Sequence, residues 1–152
     1  MKILITLIAG VLGTLGFNLM FKVHPKHLPV ATLGGFISCG IYLFLDHTGS
    51  NLFVSSFVAM LVAAIVCEIF ARIFKAPTAI FVLASAIPLV PGGSLYYTMS
   101  NLIFENYEAV SFYGKSTLLI GLGIAAGMIS ASVLCNMINH LASIQKHKNT
   151  EK

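Results

Sequence analysis

Long apolar runs alternate with short polar breaks along this chain, and the breaks fall at charges, prolines or glycine-rich turns. The runs extend from Ile3 to Phe21, Leu28 to Leu45, Leu52 to about Phe74, Pro77 to Phe104, and from near Ser116 to about His140. A helix needs roughly 20 apolar residues to cross a hydrocarbon core, and each run is of that order or longer. The pattern predicts an all-α integral membrane protein of about five transmembrane helices in a single membrane domain over residues 1–152, with a polar, basic tail at 145–152.

Details within the runs sharpen this. Thr6, Gly10, Thr14 and Asn18 recur at every fourth position and share one helical face. Small residues allow close backbone approach and polar ones need partners, so this face is expected to meet other helices. Lys22 to His27 forms a short basic loop, with Pro25 and Pro29 at the boundary of the second run. The second run carries Gly34, Gly35 and Gly40 and ends at the polar turn 46–51. The fourth run is broken by the stretch Pro88-Leu-Val-Pro91-Gly92-Gly93, whose prolines remove backbone donors and whose glycines tolerate a kink. Residues 105–114 read as an interfacial connection, and Gly123 and Gly127 are spaced as a helix-packing motif.

Composition removes the soluble alternative. Only 9% of the residues are charged and the mean hydropathy is +0.91, whereas a soluble domain carries roughly a quarter charged residues. The basic residues stand singly beside apolar runs, which indicates membrane anchoring and not nucleic acid. Cys39, Cys67 and Cys135 all lie inside apolar runs and read as small apolar fillers, with neither a disulfide framework nor zinc spacing. The first run follows a lysine as a signal peptide would. It continues unbroken to Met20 with no A-x-A site, so a retained first span is expected.

Charge orients the chain. With five spans, Lys22, Lys26, Arg72, Lys75, Lys146 and Lys148 fall on one side and Asp46, Glu105 and Glu108 on the other, with Lys2 and Lys115 the exceptions. The positive-inside rule then places the N-terminus outside and the C-terminus in the cytoplasm. A re-entrant hairpin in place of the fourth span would move the basic C-terminus outside.

Candidate chemistry centres on the broken fourth run. Non-helical backbone at membrane depth is tolerated only where protein covers it or water reaches it, and such breaks build substrate sites in transporters. The half-helix starting near Gly92 would present its amides and positive dipole end to a carboxylate. Ser94, Tyr97, Thr98 and Asn101 follow at i, i+3, i+4 and i+7, one polar stripe on an apolar helix. The stripe is either the wall of a solute pathway or a set of hydroxyls and amides bonding neighbouring helices. Glu68 and Arg72, at i and i+4, form either a structural ion pair or a functional site with Glu68 as a proton carrier. His24 and His27 flank a proline and lack further metal ligands, so they read as interfacial loop histidines, and His140 as a cap on the last span. Residues 109–116 nearly match a phosphate-binding loop, but no strand precedes them and Phe112 and Tyr113 crowd the site. No nucleophile and base stand at catalytic spacing, so no enzyme, cofactor or metal is expected.

The segment from Lys75 through Pro88-Leu-Val-Pro91-Gly92-Gly93 to Tyr97 resembles the threonine/serine exporter family. More closely it resembles the short YjjB-type subunit, equivalent to the C-terminal membrane half of the long single-chain exporters. The region Phe17-Asn18, Lys22 to His27 and Gly34-Gly35 also fits, so the resemblance covers nearly the whole chain. It implies an inner-membrane, two-component exporter with a larger membrane subunit as partner, carrying threonine and serine or succinate. Pro88, Pro91 and Gly92 match the family's hallmark position; contact of Pro88, Pro91, Gly92, Gly93, Ser94, Tyr97, Thr98, Asn101 and Asn18 with a carboxylate substrate is an expectation built on it. The competing reading is a non-transporting scaffold that stabilises a larger partner, and homo-oligomers stay open under either.

Overall fold

A computed structural model describes the backbone of residues 2–150 and the side chains of residues 3–138. The roles expected of His140 and of the charged tail therefore fall on side chains outside the described residues. The described chain is helical throughout: α1 (Lys2–Met20), α2 (Leu28–His47), α3 (Leu52–Ile73), α4 (Thr78–Ala86), a 3-10 turn at Ile87–Leu89, α5 (Gly92–Ile103) and α6 (Tyr107–Thr150). Four helices among the described residues are long and apolar enough to cross a membrane, and the bent α4–α5 pair supplies a fifth if it is one span. This is the expected all-α membrane architecture.

Three helices end in the same way. The chain turns left-handed at Lys22, Lys75 and Glu105, with φ of 52°, 50° and 58°. The amide of the next residue then bonds back to the carbonyl five positions earlier: Val23 to Asn18 at 3.0 Å, Ala76 to Ala71 at 3.0 Å and Asn106 to Asn101 at 2.9 Å. This satisfies an otherwise orphaned terminal carbonyl, in a motif whose left-handed residue is usually glycine. A side chain there costs roughly 1–2 kcal/mol. Each of the three is charged, which suits a turn that leaves the apolar layer.

The centre of the bundle is α3, whose Ala59, Met60, Ala63, Ala64 and Cys67 are buried against α2, α4 and α6. Small residues set these distances. A β-carbon on Gly123 would stand 2.7 Å from the Phe53 carbonyl oxygen, and one on Gly127 would stand 2.8 Å from that of Phe57. The packing motif expected at Gly123 and Gly127 thus meets α3. Of the face expected to meet other helices, Thr14 and Asn18 are buried, Thr14 presses against Gly35 and Gly10 against Cys39 and Pro88, while Thr6 at the start of α1 is exposed. Ser38 on α2 donates to the Ser85 carbonyl on α4 at 2.6 Å, joining those helices through a buried hydrogen bond. All three cysteines are free and buried.

The register between α3 and α6 fixes the chain's path. Gly123 meets Phe53, Gly127 meets Phe57, and Arg72 donates to the Cys135 carbonyl at 3.3 Å. Positions rise together on both helices, so α3 and α6 run parallel. The chain between them must return to the end at which α3 began, which a re-entrant hairpin would not do. It returns through α4, the 3-10 turn and α5, bent by 53°. Pro91 has no amide hydrogen and holds Val90 extended (ψ 124°), so the helical ladder stops and restarts at Gly92.

One element differs from the sequence expectation. The connection at 105–114 is helical from Tyr107, because α6 continues through it for 44 residues in all. At 1.5 Å per residue that is about 66 Å, so α6 outruns the other helices. Its first turns, beyond the start of α3, are where α5 packs, with Tyr97 stacked on Tyr113 at 5.2 Å and Thr98 3.7 Å from where a β-carbon on Gly114 would stand. The sequence 109–116 that mimics a phosphate loop is part of this helix.

Candidate functional site

A cavity of about 920 Å³ lies between the end of α1 and α4. Both helices pack on α2 but scarcely on each other, which leaves the space between them. Its apolar wall includes Phe17 and Phe21 on one side and Ile80, Leu83, Ile87 and Val90 on the other. The cavity therefore reaches from the basic turn at 22–27 to the residue that precedes Pro91 at the helix break. Apolar walls with a few convergent polar groups are the usual makeup of a small-molecule site.

Four polar side chains line this cavity: Asn18, Lys22, His24 and His27. Asn18 is 1% exposed, and its Nδ2 is buried with no hydrogen-bond partner. Leaving such a donor unmet costs about 1–3 kcal/mol, so folding alone does not account for it. His27 Nδ1 is likewise buried without a partner. The His27 ring is held by edge contacts to Phe74 at 5.9 Å and Phe81 at 5.7 Å, which tie the turn to the ends of α3 and α4. His24 Nδ1 accepts from the Lys26 amide at 3.3 Å, so in the neutral ring its Nε2 carries the hydrogen. No carboxylate is among the described residues that line it. The groups offered are donors and positive charge, the complement of an anionic oxygen.

The left-handed turn at Lys22 makes this arrangement, since it folds the chain after α1 back toward α4. Of the residues expected to contact substrate, Asn18 alone lines the cavity. Pro88 packs against Gly10, 3.4 Å from a β-carbon placed there. Gly92 and Gly93 open α5 with nothing within 4 Å of where a β-carbon would stand. Thr98 Oγ1 donates to the Ser94 carbonyl at 2.7 Å and Asn101 Nδ2 to the Tyr97 carbonyl at 2.7 Å. The stripe thus sits on the α5–α6 hairpin with Thr98 and Asn101 bonded to their own helix. His24 and His27, which the sequence reads as interfacial loop histidines, stand in the cavity lining beside Asn18. The available signal is five donor side chains within ten residues (Asn18, Lys22, His24, Lys26 and His27), with no acid among them.

Glu68 and Arg72 form an ion pair, Nη2 to Oε2, at 2.9 Å. Glu68 is mostly covered at 12% exposure while Arg72 is 43% exposed, so the carboxylate lies deeper than its partner. Arg72 also donates to Cys135, so the pair joins α3 to α6 as well as bridging one turn. It stands apart from the residues that line the cavity.

The comparisons with known proteins bear on this geometry. The family described as threonine/serine exporter, ThrE, matches residues 6–134, a stretch that holds the cavity, the helix break and the ion pair. No solved structure matches the chain. With that much of its length inside the match, the chain belongs to the threonine/serine exporter family.

Proposed function

We propose that this chain is the small subunit of a two-component secondary exporter of small carboxylate metabolites, threonine and serine or succinate. The observation that carries the reading is the parallel course of α3 and α6, which makes the bent α4–α5 segment return the chain and gives an odd number of crossings. A bundle with an odd count has its ends on opposite sides, so a related bundle of the same count pairs with it inverted. Export through a shared path between two such bundles accounts for a broken helix in one of them.

Orientation follows from charge. Lys22, Lys26, Arg72 and Lys75 occupy turns that the His27–Phe74 contact holds together at one end, and that end is assigned to the cytoplasm of the inner membrane. The N-terminus is then outside. Glu68 is assigned the proton carried against substrate. The half-helix from Gly92, with Pro88, Pro91, Gly93, Ser94, Tyr97, Thr98 and Asn101, is assigned to the outer part of the path.

The scaffold reading is favoured by one observation: Thr98 and Asn101 are satisfied within α5 and need no substrate. Efflux of preloaded threonine, serine and succinate separates the two. Cells would express this chain, its large partner, both or neither. Export that requires both chains supports the exporter; export by the partner alone supports the scaffold.

A further inference from the structure

We propose that the cavity between α1 and α4 is a carboxylate-binding site, with Asn18 Nδ2 as its central donor, Lys22 as its positive charge, and His24 and His27 as further polar groups at its rim. The inference rests on the exporter reading for the identity of the ligand, a small hydroxy-amino acid or dicarboxylate. It does not rest on it for the site.

Two independent observations meet here. One is the cavity itself, large enough for a small metabolite and walled by apolar groups of α1 and α4. The other is a side chain 1% exposed that lines this cavity and holds an unpartnered amide donor. His27 adds a second buried nitrogen without a partner on the same wall. A carboxylate satisfies these groups with charge-assisted hydrogen bonds, which are stronger than neutral ones. Lys22 supplies charge without a competing acid among the described lining residues. The apolar wall that continues to Val90 fits the remainder of a small solute and leads toward the helix break. This places solute capture at the basic end of the bundle, ahead of the break.

The phosphate of an anionic lipid shares this chemistry, and the experiment is arranged to tell the two apart. The full chain, with its partner, is placed in bilayers of phosphatidylcholine alone, and binding of radiolabelled threonine, serine and succinate is measured directly. Threoninol, which lacks the carboxylate, competes in parallel. We expect carboxylate solutes to bind, threoninol not to compete, and Asn18→Asp to weaken binding by about tenfold or more, as for loss of a hydrogen bond to a charged group. Lys22→Gln, at an exposed position, gives the same direction in a variant whose folding is not in question. Gly121→Ala, on α6 and away from the residues that line the cavity, leaves binding unchanged.

Unaltered binding in both Asn18→Asp and Lys22→Gln would overturn the site. So would stronger binding in Asn18→Asp, which would mean that the amide meets the ligand's ammonium. Displacement of the solute by added phosphatidylglycerol, together with Asn18-dependent lipid retention in native mass spectrometry, would make this a lipid site and also overturn the proposal. In each of these cases efflux by the two chains together would persist and keep the exporter reading intact. Absence of efflux under every combination would instead strike that reading.

Discussion

Gly123 lies so close to Phe53 that a β-carbon on the glycine would stand 2.7 Å from the phenylalanine's carbonyl oxygen. The contact repeats one turn later between Gly127 and Phe57 and sets α3 and α6 side by side in the same direction. Gly123→Leu should therefore force the helices apart and destabilise the bundle by about 1–3 kcal/mol, the usual cost of overpacking. Gly121 has nothing within 4 Å, and Gly121→Ala should be neutral or stabilising by up to about 1 kcal/mol. Thermal unfolding in detergent compares the two.

The charged left-handed residues make a second test. Lys75→Gly and Glu105→Gly should each raise stability by about 1 kcal/mol, because glycine adopts the same turn without the side-chain penalty. Lys75→Ala should gain nothing. Equal melting temperatures for Gly and Ala variants would contradict the termination motif as the source of the strain.

Glu68→Gln separates structure from function at the ion pair. Arg72 is substantially exposed, so losing the pair should change stability by less than about 1 kcal/mol. If Glu68 carries the coupling proton, export nonetheless stops, while exchange of internal for external substrate continues. Full export in a stable Glu68→Gln variant would leave the pair as a fastening between α3 and α6.

Much of this fold is legible in the sequence because lipid imposes it. Uninterrupted apolar runs of spanning length have few other solutions, and Pro91 with Gly92 stops a helix wherever it sits. The start of α6 was hidden for a local reason. The polar residues of 105–114 resemble a loop, yet Tyr107, Phe112 and Tyr113 continue a helical surface on which α5 rests. The stripe Ser94, Tyr97, Thr98 and Asn101 is real as a face, but periodicity does not reveal that Thr98 and Asn101 bond carbonyls four residues back. The cavity was least legible. It depends on the backbone turn at Lys22 bringing His27 against Phe74 and Phe81, a juxtaposition of distant segments that no spacing rule encodes.

The path of the broken segment is the claim on which the functional account turns, and cysteine labelling tests it directly. Cys39, Cys67 and Cys135 are buried and free, so they give little background toward a membrane-impermeant maleimide. Single cysteines would be introduced as Lys26→Cys, Lys75→Cys and Glu108→Cys and labelled in intact cells, then after permeabilisation. The account predicts that Glu108→Cys reacts from outside, while Lys26→Cys and Lys75→Cys react only once the membrane is opened. Labelling of Lys75→Cys and Glu108→Cys from the same side would mean that the segment between them re-enters without crossing, and would contradict the inverted pairing on which the exporter reading depends.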